Sequence, residues 1–142
     1  MLHTLRLLAL IVALSAAPAH ATLAESRVVI LVYHRFSNRV SDSMTVRTQT
    51  FEAQLRLLKE HGYQVVALRA VLAWLEDPSS ALPPKAAVLT ADDGHRSVYD
   101  VLFPIARRDR LPVTLFIYPS AISNADYALT WTHVRARSRN RA

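Results

Sequence analysis

The stretch Lys85-Ala86-Ala87-Val88-Leu89-Thr90-Ala91-Asp92-Asp93-Gly94 decides how this chain reads. After Lys85 it runs uncharged and mostly apolar to Ala91, which suits a strand buried inside a sheet. Two carboxylates then follow without a spacer. Adjacent negative charges repel, and each prefers water to the end of a buried strand. A cation resolves the conflict. A divalent metal is the obvious one, since it can bind one carboxylate and leave the other free to take a proton from water. A helix N-cap accounts for one acid at this place, because Asp caps well and acidic residues favour helix N-termini, but it does not account for two. Gly94 suits either reading, because a sharp strand-to-helix turn often needs a residue without Cβ.

Outward from this stretch the chain alternates between two periods. Residues 27–33 (RVVILVY) form a β-branched apolar run, predicted as a strand buried on both faces. Residues 36–47 are polar and read as a loop. Thr48 or Thr50 is placed to cap a helix through Phe51, Leu55 and Leu58 to His61, with Gly62 as its stop. Residues 63–67 give a short second strand. Residues 68–76 resume helical spacing with Val71, Leu72 and Leu75 on one side, and Pro78 ends it. After the central stretch, residues 97–108 form a helix with Val98, Val101, Leu102 and Ile105 inward and a kink or split expected at Pro104. Residues 112–118 (PVTLFIY) form a fourth strand, and residues 119–142 show no sustained pattern. Such alternation implies βα units around a parallel sheet, an α/β fold whose sites gather at the carboxyl ends of strands. Asp92, Asp93 and His34 all stand at such ends.

The start of the chain has a different character. Arg6, the apolar run 7–17 and Ala19-His20-Ala21 read as a signal peptide (1–21) cut before Thr22, which predicts export to the periplasm or beyond. The 142 residues contain no cysteine, which excludes disulfides, thiolate metal sites and a cysteine nucleophile. The formal charge of +6 is concentrated at the ends. Without Arg6 and the tail arginines Arg135, Arg137, Arg139 and Arg141 the body (22–134) is nearly neutral. Nucleic-acid binding needs basic residues clustered on a folded face, so it is not expected, and 135–142 reads as a disordered Arg-rich tail.

The other candidates are weaker. His34 is read as a pocket-lining rim residue, with metal ligation as the alternative. His95 and Arg96 either neutralise the acid pair or are solvated at the helix start. His61 favours a helix C-terminus. Trp74 at helical spacing is read as packing, and His133 has no assignment. Only Gly62 and Gly94 are glycines, so no phosphate-binding glycine loop exists.

Together these segments resemble the amino-terminal portion of the polysaccharide deacetylase (NodB homology) family, carbohydrate esterase family 4. Thr90-Ala91-Asp92-Asp93-Gly94 is similar to the family's Thr/Ser-Phe-Asp-Asp-Gly motif. Leu31-Val32-Tyr33-His34, Phe51-Glu52-Ala53-Gln54-Leu55 and Arg96-Ser97-Val98-Tyr99 resemble exported members. The resemblance implies roughly the first half of a partial (β/α) barrel. It also implies metal-dependent hydrolysis of N-acetyl groups on an N-acetylglucosamine polymer. By matched position Asp92 would be the catalytic base and Asp93 the ligand of a divalent metal, most often zinc. His34, Gly94, His95 and Arg96 would bind substrate or line the pocket.

Two departures from the motif pattern stand out. Ala91 replaces the motif's Phe and is expected to leave a gap beside the site. The family's His-Ser/Thr-x-x-x-His motif, which supplies two metal-binding histidines, has no counterpart after Trp131, so the metal site is expected to be incomplete. A truncated or frameshifted product, or one piece of a split gene, accounts for the arginine-rich end. A second polypeptide would then carry the missing half of the barrel. The rival expectations are a non-catalytic periplasmic glycan-binding module and an inactive fragment.

Overall fold

A computed structural model describes residues 26–40 and 42–138; the segment expected as a signal peptide (1–21) and the last residues of the expected tail lie outside the described residues. The elements are β1 (Arg27–Tyr33), β2 (Arg35–Ser37), β3 (Thr45–Arg47), α1 (Thr48–Glu60), β4 (Gln64–Val65), α2 (Leu68–Glu76), β5 (Lys85–Ala91), α3 (Phe103–Arg108), β6 (Val113–Leu115) and α4 (Trp131–Ser138). A π-helical turn, Val98–Leu102, leads into α3. This is an α/β architecture of parallel strands alternating with helices.

β5 is the hub of the main sheet. It pairs in parallel with β1 along its whole length, Arg27 opposite Lys85 through Tyr33 opposite Ala91. Its other edge is shared by β4, at Ala86 and Ala87, and by β6, at Leu89 to Ala91. A strand with neighbours on both edges and helices on one face needs small or apolar side chains throughout. Ala86, Ala87 and Ala91 are fully buried and Val88 and Leu89 nearly so.

The main core lies between the sheet and the helices. Phe51 of α1 is fully buried and meets Tyr33 and Phe36 edge-on, with ring centroids 5.0 and 5.2 Å away. Such tilted pairs place a positive ring edge against a negative face. The Tyr33 hydroxyl donates to Gln54 Oε1 at 2.9 Å, and burial pushes this phenol up to about 12. Ala91 is a member of the same cluster and is fully enclosed, so the site of the expected gap has no access to solvent. Gly62, at φ +76°, ends α1 as predicted. Its N–H donates to the Lys59 carbonyl and the Tyr63 N–H to that of Leu58, which satisfies two carbonyls the helix leaves open.

Several expectations need correction. Neither Thr48 nor Thr50 caps α1: the chain enters from β3 through Arg47, whose side chain makes no cap bond. The stretch 36–47 is not simply a loop, because β2 and β3 pair in parallel there. Asp42 holds that connection closed by accepting from the Met44 N–H and the Thr45 hydroxyl and pairing with Arg35. These short-range polar bonds carry no hydrophobic period. β1 is not buried on both faces, since Ile30 and Val32 are 54% and 52% exposed. On α2, Val71 is buried but Leu72 and Leu75 face outward; the half-buried face runs through Ala67, Ala70, Val71 and Trp74 instead. The helix after β5 does not break at Pro104: the π-helical turn runs directly into α3 through helical backbone at Leu102 and Phe103, and the change of helix type just before Pro104 accommodates its missing N–H.

The carboxyl-terminal region holds structure that no hydrophobic pattern marks. Ile122, Ala128 and Leu129 form a second small core. α4 extends through Ser138, into the segment expected as a tail. Thr130 starts it with a reciprocal pair: its hydroxyl accepts from the His133 N–H, and His133 Nδ1 accepts from the Thr130 N–H. This is a capping box with His in the place of the usual Glu.

Candidate active site

The carboxyl end of β5 is held from both sides. The Asp92 N–H donates to the Tyr33 carbonyl at 2.8 Å, and the Phe116 N–H donates to the Ala91 carbonyl at 3.0 Å. Asp92 is thereby fixed between the end of β1 and the segment leaving β6. The chain then turns sharply. Asp93 and Gly94 both have left-handed backbones, at φ 65° and 68°. Asp tolerates this region better than most side chains, and Gly best of all. A Cβ on Gly94 would stand 3.0 Å from Ile122 Cδ1 and 3.2 Å from Ile117 Cγ2, so the turn is also closed to any larger residue by its neighbours.

A cleft of about 280 Å3 opens here, lined by Asp92, Asp93, Phe116, Ile117 and Tyr118. Asp92 Oδ1 is buried and has no hydrogen-bond partner. An unpartnered buried carboxylate oxygen costs about 1–3 kcal/mol or more. The aromatic wall of Phe116 and Tyr118 is absent from the residues the sequence singles out. A signal for it exists nonetheless, for both residues prolong the predicted fourth strand that runs beside β5.

The remaining candidates fall elsewhere. His95 and Arg96 do not neutralise the acid pair. Arg96 pairs with Asp100 at 3.5 Å, with both side chains exposed, and His95 engages Ser97. His95, Arg96 and Ser97 line a separate cleft with Phe36, Ser37 and Asn38. His34 follows Tyr33, whose carbonyl accepts from Asp92, and is half-buried. Burial, reinforced by Arg35, holds His95 below its ordinary value.

The donor set can be tested against a metal. Catalytic zinc usually takes three protein ligands and keeps one open position. Among the described residues no three His, Cys, Asp or Glu side chains come together to hold a metal. The cleft offers the adjacent carboxylates Asp92 and Asp93. The described residues therefore do not by themselves fit a zinc ion.

Comparison with known proteins adds the lineage. No family model matches the chain. The poly-beta-1,6-N-acetyl-D-glucosamine N-deacetylase of Escherichia coli K12 is 30% identical over 129 residues, covering 80% of this chain and 19% of that protein. A protein of the same name from Staphylococcus aureus is 22% identical over 96 residues, covering 68% and 32%. Among solved structures, a de-N-acetylase from Aggregatibacter actinomycetemcomitans superimposes with a TM-score of 0.70 at 24% identity, covering 79% of this chain and 50% of that one. IcaB from Ammonifex degensii gives a TM-score of 0.70 at 24% identity, covering 79% and 48%. The chain thus spans a fifth to a third of these curated relatives and about half of these structures. Over about 80% of its length, the chain is a homologue of the NodB-type polysaccharide deacetylases and carries an amino-terminal portion of their α/β fold.

Proposed function

We propose that this chain contributes the base-bearing half of an exported enzyme that hydrolyses N-acetyl groups on an N-acetylglucosamine polymer. The observation that carries the reading is the unpartnered, buried Oδ1 of Asp92 at the mouth of the cleft. Its lone pairs are unused by the protein, and in this reading a water admitted with the substrate bonds to them. That water adds to the acetyl carbonyl carbon as Asp92 takes its proton. The carbon–nitrogen bond then breaks, the proton passes to nitrogen, and acetate and a free amine leave. Phe116 and Tyr118 wall the cleft on one side and limit competing water. The residue match supports Asp92 as base, with Asp93 offering its carboxylate to a divalent metal.

A metal at Asp93 needs ligands from outside the described residues, either in a longer protein or on a second polypeptide. The sheet supports such a complement. β1 pairs only with β5 among the described strands, and Ile30 and Val32 present half-exposed apolar side chains beside it. A strand edge with apolar flanks invites another chain.

The test is acetate release from an N-acetylglucosamine oligomer, with and without added zinc, by this chain together with the segment or polypeptide that completes the metal site, and by the same assembly carrying Asp92→Asn. Release that disappears in the variant supports the reading. Oligomer binding without release in any condition would replace it with a glycan-binding module.

A further inference from the structure

The cleft beside His95 measures about 470 Å3, within the range of small-molecule sites. Asn38, His95, Arg96, Asp100, Asp126 and Tyr127 are part of its wall. Its floor is rigidly built. The Arg96 N–H donates to the Tyr127 carbonyl at 2.7 Å, the Leu129 N–H donates to the Gly94 carbonyl at 2.8 Å, and His95 and Ala128 face each other in an antiparallel bridge. These bonds hold the Tyr127 ring nearly parallel to that of His95, at 13° and 6.2 Å between centroids, while Tyr127 stays 52% exposed.

The protonation pattern follows from the bonds. His95 Nδ1 accepts from the Ser97 N–H at 3.1 Å, so it carries no proton. Ser97 Oγ, 2.8 Å from Nδ1, therefore donates to it, and the same oxygen accepts from the Phe36 N–H. The wall then holds two carboxylates, Asp100 and Asp126, against one guanidinium, Arg96, which already pairs with Asp100. An anion is opposed here, a neutral sugar gains stacking and hydroxyl hydrogen bonds, and a cationic sugar gains the charge attraction in addition.

We propose that this cleft binds a protonated amino-sugar unit of the polymer, with Tyr127 against the ring and Asp126 facing the ammonium group. The proposal rests on the deacetylase reading for the identity of the polymer. Asp93 and His95 are two Cα steps of about 3.8 Å apart. The two clefts are joined by the turn through Gly94, and in this proposal a polymer laid across that turn places one unit at the acid pair and a neighbouring unit in this cleft. Units already deacetylated would be retained there while the next one is presented to Asp92.

Calorimetric titration of the full chain with a glucosamine trimer and with an N-acetylglucosamine trimer, at low ionic strength, tests this. The amine trimer is expected to bind at least about fivefold more tightly. Tyr127→Ala should weaken it about tenfold. Asp126→Asn, which preserves shape, should abolish the preference while keeping residual binding of the acetylated trimer. Equal affinities, no binding of either trimer, or indifference to Tyr127→Ala in a variant with unchanged circular dichroism overturns the proposal. Acetate release is read separately. Tyr127-dependent amine binding, with no acetate release by the chain once the metal site is completed, would sink the deacetylase reading and leave this site standing.

Discussion

Replacing Gly94 by alanine separates the backbone strain of the active-site turn from its packing. At φ +68° an alanine loses about 1–2 kcal/mol to the left-handed conformation. Its Cβ would also press on Ile122 Cδ1 at 3.0 Å and Ile117 Cγ2 at 3.2 Å. Ile122 is 1% exposed and cannot swing into solvent, so overpacking adds about 1–3 kcal/mol. Gly62 is the internal control: its φ is +76° and nothing stands within 4 Å of the point a Cβ would occupy. Gly62→Ala should therefore cost only the conformational part, and the loss of unfolded-chain freedom offsets both variants equally. Urea unfolding of the two variants and the parent should show Gly94→Ala weaker than Gly62→Ala by about 1–3 kcal/mol, a large share of a total of about 5–15 kcal/mol. Equal losses would refute the claim that Ile117 and Ile122 close the turn.

Asp92→Ala should unfold at equal or higher urea than the parent, by about 1 kcal/mol, because it removes an unpartnered buried oxygen, while acetate release is lost. His95 is held below 6.5 by burial first and then by Arg35, against Asp42 and Asp100, so the unfolded chain binds its proton before the folded one does. Stability should be full above pH 6.5 and decline as pH falls below it, and His95→Gln should flatten that part of a pH series of urea midpoints. Tyr33 is raised from 10.0 to about 12, so its contribution is present below pH 10 and lost as pH climbs through 12; ultraviolet titration should show one late phenol, absent in Tyr33→Phe.

The parts of the fold legible in the sequence are those held by long apolar runs. β1, α2 and β5 begin and end where their patterns do, although the buried side of α2 is not its expected apolar side and one face of β1 is half-exposed. β4 and β6 are shorter than their runs, since pairing is set by where β5 offers a free edge and not by side-chain propensity. β2, β3 and α4 leave no periodic trace because Asp42, Thr130 and His133 build them through local polar bonds. The site divides in the same way. Asp92, Asp93 and Gly94 stand together as their adjacency requires, whereas His95 and Arg96, adjacent in sequence, are carried by the left-handed turn into another cleft. No linear pattern encodes that reversal.

The turn itself argues for use. Asp92 keeps a buried oxygen without a partner, and Asp93 keeps a left-handed backbone that most residues avoid. Alanine or leucine at the first position and glycine at the second would each relieve a cost of about 1–2 kcal/mol without disturbing β5. Both costs fall on consecutive residues, at the carboxyl end of the central strand and beside the same aromatic wall. Arg110 and Ser123 also have left-handed backbones, but at Asp93 this cost adjoins a buried, unpartnered carboxylate oxygen in a cleft, a coincidence that a site under functional constraint retains. Asp93→Asn sharpens the point. Asn accepts the left-handed region as readily as Asp, so the variant should unfold at the same urea concentration as the parent. Loss of acetate release in that variant, with no loss of stability, would assign the Asp93 charge to chemistry. A large drop in stability would assign it to the fold instead.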